Sequence, residues 1–170
     1  MCIRDRLYAP TFGALSSLPH WAEKLGRLSG DVNLMCKLHH GTCSHPEEAA
    51  SLALARRHLK QRTDSARHTL ALLAKADYVL TDNSGFIFDA IHVDKRLILL
   101  DFPGMTELLD GEKSYSTAES ADQRIREILP VAHDVAELRY LLSEVFDWGA
   151  VQTRLTEIRH HYCDAFMDGK

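Results

Sequence analysis

The sequence has little of what would direct a chain to a nucleic acid, a bilayer or an oxidising compartment. Lys and Arg number 20 against 24 Asp and Glu, a formal net charge of -4. That leaves no basic field for a polyanion, so any nucleotide chemistry must rest on a local pocket, and no nucleic-acid partner is expected. No apolar run approaches the roughly 20 residues that cross a bilayer, and the first residues lack the charged-then-apolar order of a signal peptide. A soluble, cytoplasmic chain is the expectation. The four cysteines, Cys2, Cys36, Cys43 and Cys163, show no framework spacing and are read as reduced. The group Cys36, His39, His40, Cys43 and His45 invites a zinc site, but an extended strand sends successive side chains to opposite faces. Four of these ligands converge only if the chain bends sharply, so no metal is expected. Internal repeats, low-complexity tracts and interior linkers are also absent.

What is present suits one domain. With 170 residues, 45% of them hydrophobic, the chain can bury a substantial core but is short for two ordinary domains. The opening "MCIRDR" fits no element and resembles a translated adapter sequence, so Met1 to Arg6 are read as a non-native leader. The fold is then expected over 7–170, as a fragment of a longer chain.

From Leu7 the elements alternate. "LYAPTFG" reads as a short strand entering a Pro/Gly loop, and "LPHWAEKLGRL" places Leu18, Trp21, Leu25 and Leu28 at helical spacing. "DVNLMCKLHH" is apolar on both faces until Lys37, as in a parallel strand covered by helices. "SHPEEAASLALARRHLK" predicts a helix capped by Ser44, and "TDSARHTLALLAKA" one capped by Thr63 or Asp64, with Leu70, Leu73 and Ala74 inward. "DYVL" is a strand, "SGFIFDAIHV" a helix and "RLILLD" a strand. A polar, glycine-containing stretch follows Asp101 and reads as a loop with a helical turn or two. A short strand follows at "LPVA". Next comes a helix capped by Asp134 with Leu138, Leu141, Leu142 and Val145 as its stripe, and a closing helix over "GAVQTRLTEIRHHYCDAF".

This alternation specifies an α/β fold: an open, mostly parallel sheet with helices on both faces. Such sheets bind ligands beyond the carboxyl ends of their strands. Four polar segments follow predicted strands: "PTFG", "KLHHGT", "TDNSG" and "DFPG". The "TDNSG" turn has two readings. Unpaired N–H groups at a helix start, the Ser84 hydroxyl and the bare backbone of Gly85 suit a phosphate. Alternatively Ser84 or Asn83 caps the helix and Asp82 ties down the loop.

The stretch "LLAKADYVLTDNSGFIFDAIHVDKRLILLD" resembles the "aDvlItDYSSvmFDylnldkPiif" motif of the CDP-glycerol glycerophosphotransferase family. "LYAPTFG" resembles that family's "lYaPTwr", "KLHHGT" its strand-end "K/R-x-H", and "FMDGK" its "DGkAseRi". The match covers nearly all of Leu7 to Lys170. Asn83 stands where the family has tyrosine, Gly85 where it has a second serine, and Arg96 where proline is common.

The resemblance implies the donor-binding, Rossmann-like carboxyl-terminal half of a GT-B transferase. In that family a hydroxyl of a polymer or glycolipid attacks the β-phosphate of CDP-glycerol or CDP-ribitol, and CMP leaves. No cofactor is implied. Carried over by motif, His39 is the catalytic candidate that contacts the pyrophosphate, and Ser84 and Gly85 hold the same phosphates. Thr81 and Asp82 shape the pocket, and Arg124 or Arg126 contacts phosphate. Each has a plainer reading: His39 and His40 as solvated strand-end residues, Lys37 as a residue reaching to the rim, "DQRIREI" as a solvated helix face. Phe88 is expected in the core, and Asp89 beside the turn as local support. A peripheral membrane contact is implied through the other half of the enzyme. Two rival readings stand: a nucleotide-sugar enzyme, because the turn also resembles the "TDSGGxxEEA" of UDP-N-acetylglucosamine 2-epimerases, and a non-catalytic nucleotide-binding domain.

Overall fold

The computed structural model describes residues 5–28, 33–59, 69–109 and 121–163. In these segments the strands are β1 (Asp5–Tyr8), β2 (Asn33–Cys36), β3 (Tyr78–Thr81), β4 (Arg96–Leu100) and β5 (Val131–Ala132). All pair in parallel in the order β2-β1-β3-β4-β5. The helices are α1 (Leu18–Leu28), α2 (His40–Ser44), α3 (Ala49–His58), α4 (Thr69–Lys75), α5 (Phe86–His92), α6 (Met105–Leu109), α7 (Ala121–Arg126), α8 (Val135–Leu141) and α9 (Trp148–Cys163).

Strand alternation divides the core in two. Tyr8, Leu34, Cys36, Tyr78, Leu80, Ile98 and Leu100 face one layer, which α1, α3 and α8 cover. Leu7, Val79, Leu97 and Leu99 face the other, under α4, α5, α7 and α9. Because both faces are covered, the central strands are apolar at nearly every position, as an all-parallel sheet requires. The expected α/β fold with helices on both faces is the observed one. The chain winds from β1 outward to β2, then returns to place β3 on the other side of β1, so the crevice between the ends of β1 and β3 is the topological switch point.

Helix α1 buries Leu18, Trp21, Ala22, Leu25 and Leu28 as one stripe. It crosses α3 closely at Gly26, where a Cβ would lie 2.4 Å from the His58 carbonyl oxygen. The Asp134 carboxylate caps α8 by accepting the Glu137 N–H at 2.9 Å.

Several expectations are corrected. The first strand begins at Asp5, before the expected Leu7, and Arg6 is buried between β2 and β3. The helix expected from Ser44 is instead a 3-10 turn at Pro46–Glu48 followed by α3. Ser44 ends α2, its Oγ donating to the His40 carbonyl at 2.9 Å. Of the expected inward residues of α4 only Leu73 is buried, while Leu70 is 75% exposed and Ala74 also faces out. Val145 lies beyond the end of α8 and is exposed. Phe88 is half-buried against the core rather than inside it. Thr63, Asp64 and the "FMDGK" segment lie outside the described residues. Cys36 is a buried free thiol and Cys43 an exposed one. Among the described residues no helix is long and apolar enough to cross a membrane.

Candidate functional site

The parallel sheet delivers the loops after β1 to β5 to one rim. Where β3 ends, Thr81 and Asp82 are fully buried, and both are committed to the loop after β1. Thr81 Oγ1 donates to the Ala9 carbonyl at 2.6 Å. The Asp82 carboxylate accepts the Thr11 N–H at 2.8 Å through Oδ1, and both the N–H and Oγ–H of Ser17 at 2.7 Å through Oδ2. Since the Ser17 hydrogen goes to Asp82, the Tyr8 hydroxyl, 2.8 Å away, donates to Ser17 Oγ. Burial pushes the Asp82 carboxyl up to about 6, against the pull of the Ser17 and Thr11 donors and of Arg126. Burial, then the Asp82 charge, raises Tyr8 well above the usual phenol range. Thr81 and Asp82 therefore form the wall behind the rim and do not line its surface.

The turn itself continues with Ser84 half-buried and Gly85 exposed. Ser84 Oγ accepts the Phe86 N–H at 3.2 Å, a local bond across the turn, while the cap position of α5 is Gly85, so the reading of Ser84 as the helix cap is corrected to that of a turn residue. A Cβ on Gly85 would meet nothing within 4 Å, and its φ is -56°. The backbone there is open to solvent.

Arg126 and Arg124, two residues apart on α7, diverge. Arg126 is half-buried and reaches back to the turn: Nη1 donates to the Asp82 carbonyl at 3.4 Å and Nη2 lies 3.3 Å from Met105 Sδ. Arg124 is exposed and lines a groove of about 280 Å³ with Ile125, Ile128, Glu157, Ile158 and His161. No residue of the Asp82–Gly85 turn lines that groove. The structure thus brings Arg126 to the candidate turn and leaves Arg124 apart from it.

His39 sits beyond β2, two strands from the turn, which strand spacing makes about 10 Å. It caps α2, its Nδ1 accepting the Gly41 N–H at 3.0 Å. Burial lowers its pKa, helped by His40, Lys37 and His45. The plain reading of a solvated strand-end residue is therefore incomplete. Lys37 is half-buried, its N–H bonded to the Tyr8 carbonyl at 2.8 Å. Asp89 is exposed.

Sequence reasoning missed three groups on this rim. Phe12 stacks on His39 with ring centroids 4.5 Å apart. Ser17 is the hinge of the Tyr8–Asp82 network, and its position just before the stripe of α1 was the available signal. At the far side, His133 Nδ1 lies 2.9 Å from Glu137 Oε2 and its Nε2 lies 3.4 Å from Asp101 Oδ2. The i,i+4 spacing of His133 and Glu137 signalled half of that contact.

No family model and no curated protein matches the chain. Among solved structures, the wall teichoic acid polymerase TagF aligns over 95% of this chain with 16% sequence identity and a TM-score of 0.48. The chain spans 38% of that polymerase's length.

Proposed function

We propose that this chain is the nucleotide-donor half of a GT-B polyol phosphate transferase, which binds CDP-glycerol or CDP-ribitol in the crevice between β1 and β3. The observation that carries the reading is Arg126. A guanidinium from α7, 44 residues from Asp82, is held at the same turn that offers the Ser84 hydroxyl and the open Gly85 backbone. A planar cation beside exposed backbone at a switch point suits a pyrophosphate. The ordered motifs that resemble the CDP-glycerol glycerophosphotransferase family support the same ligand.

In the reaction, the oxygen of an acceptor hydroxyl bonds to the β-phosphorus and the bond from that phosphorus to the CMP oxygen breaks. The acceptor proton goes to a base on the other half of the enzyme. This half contributes positioning and charge: Arg126 and Ser84 against the phosphates, His39 as a donor from the neighbouring loop. A donor half alone binds nucleotide without turnover. The acceptor is a polymer or glycolipid hydroxyl, and the working enzyme acts in the cytoplasm at the inner membrane face.

Calorimetric titration of the purified chain with CDP, UDP and CMP tests the reading. CDP is expected to bind, and Arg126→Ala to weaken it about 10- to 100-fold, the equivalent of one charge-assisted hydrogen bond. Preference for UDP would point to a nucleotide-sugar enzyme. No binding of any of the three would overturn the proposal.

A further inference from the structure

We propose that Phe12 is a positioning residue for His39. The ring column His45, Phe12, His39, His40 holds that imidazole as its neutral Nε2–H tautomer, so it offers a hydrogen-bond donor, not a cation, to an anion at the rim. The inference rests on the reading above for the identity of that anion, and on the geometry of the column for the rest.

The tautomer follows from one bond. The Gly41 N–H can be accepted only by an unprotonated nitrogen, so with Nδ1 as acceptor the ring proton sits on Nε2. Nε2–H is then the ring's other polar group, with no hydrogen-bond partner among the described residues. The orientation follows from stacking. Phe12 lies on His39 at 4.5 Å and 10°, His45 lies on Phe12 at 5.5 Å and 17°, and His40 is 4.1 Å from His39. Gly41 permits the approach: a Cβ there would fall 2.6 Å from Phe12 Cδ2.

Phe12 itself is 38% exposed, too open to be explained by core burial. The charged and titratable groups around His39 are Lys37, His40 and His45 on its own segment. The loop that carries Phe12 is itself tied to Glu48, whose Oε1 accepts the Gly13 N–H, and to Asp82, which accepts the Thr11 N–H and whose carbonyl Arg126 reaches. Burial and the three basic neighbours hold His39 neutral below its ordinary value of 6.5.

The test reads the ring directly, by nitrogen-resolved imidazole NMR of the full chain, with His39→Asn used to assign the signal. Wild type is expected to show the Nε2–H tautomer and to titrate below 6.5. Phe12→Ala should mix the tautomers and raise the titration, and Phe12→Tyr should restore both. Gly41→Ala should reproduce Phe12→Ala, because its methyl displaces the ring without removing it. An unchanged His39 tautomer and titration in Phe12→Ala would overturn the proposal.

CDP titration adds a functional arm. Phe12→Ala should bind about 2- to 10-fold more weakly near pH 8. The gap should narrow toward about pH 6 as the released imidazole becomes cationic. A gap that does not change with pH would overturn the donor role. Absence of CDP binding in both proteins, with the ring signals still changing, would support the clamp and remove the nucleotide reading.

Discussion

Asp82, at the end of β3, receives the N–H of Thr11 from the loop after β1 at 2.8 Å, across the switch point of the sheet. The same carboxylate holds Ser17 at the entrance to α1, so one side chain fixes both walls of the crevice. Thr11 and Ser17, bound to that carboxylate, fix the loop facing Ser84, Gly85 and Arg126.

Asp82 makes stability fall as pH rises. Its folded value is about 6 against an ordinary 3.8, so the native state binds more protons than the unfolded state between those limits. Its contribution is therefore fully present below about pH 4 and lost by about pH 6. His39, lowered from 6.5, acts in the opposite direction: its contribution is present above that value and lost as pH falls through the folded one. Urea unfolding across this range should show the Asp82 component once His39→Asn has removed the other. Adding Asp82→Asn should flatten the remaining slope while lowering overall stability by about 2–4 kcal/mol, because an amide nitrogen now meets donors. A slope that Asp82→Asn leaves unchanged would show that other groups govern it.

Gly26→Ala should be costly. The new methyl would lie 2.4 Å from the backbone oxygen of His58, which cannot swing aside as a side chain does. Helices α1 and α3 would have to separate, at about 1–3 kcal/mol. Thermal denaturation checks this, and a melting temperature equal to wild type would show that the α1–α3 crossing is plastic.

At the turn, Ser84→Ala and Gly85→Ala should separate binding from folding. Ser84→Ala loses the bond from the Phe86 N–H, worth about 0.5–1.5 kcal/mol, and, in the proposed site, a phosphate contact worth about 1.5–3 kcal/mol. Affinity for CDP should drop more than stability. Gly85→Ala meets no atom within 4 Å in an ordinary backbone conformation, so stability should hold or rise by about 0.4–1 kcal/mol. Its methyl would nonetheless stand where a ligand approaches the backbone. Equal stability with unchanged affinity in Gly85→Ala would move the ligand away from this turn.

The parts legible in the sequence are those with a local cause. Helix α1 carries four large apolar residues on one stripe, β3 and β4 are apolar on both faces, and Asp134 stands at a cap position. Helical spacing failed at Leu70 and Val145 because it describes a helix and not its surroundings. Leu70 is in the first turn of the seven-residue α4, where Leu73 is buried and Leu72 packs partly against the core. Val145 continues the stripe of α8 past the point where the helix has ended. At the candidate site the polar turn after β3 was visible because it interrupts an apolar pattern. The partners of Asp82 were not, since Ser17 and Thr11 are 65 and 71 residues away and no spacing rule connects them. Arg126 and Arg124 differ for a related reason. Two residues apart on a helix means faces about 200° apart, and only the packing of α7 decides which one meets the turn.

The place of β1 between β2 and β3 has a consequence for how the chain acquires its shape. A strand flanked by one that follows it closely and another some 70 residues later cannot complete its pairing until that second, distant neighbour has been made. The bonds from Thr11, Ser17 and Thr81 across the crevice span similar separations. The order of the crevice thus depends on closing long loops through the central sheet rather than on any local segment.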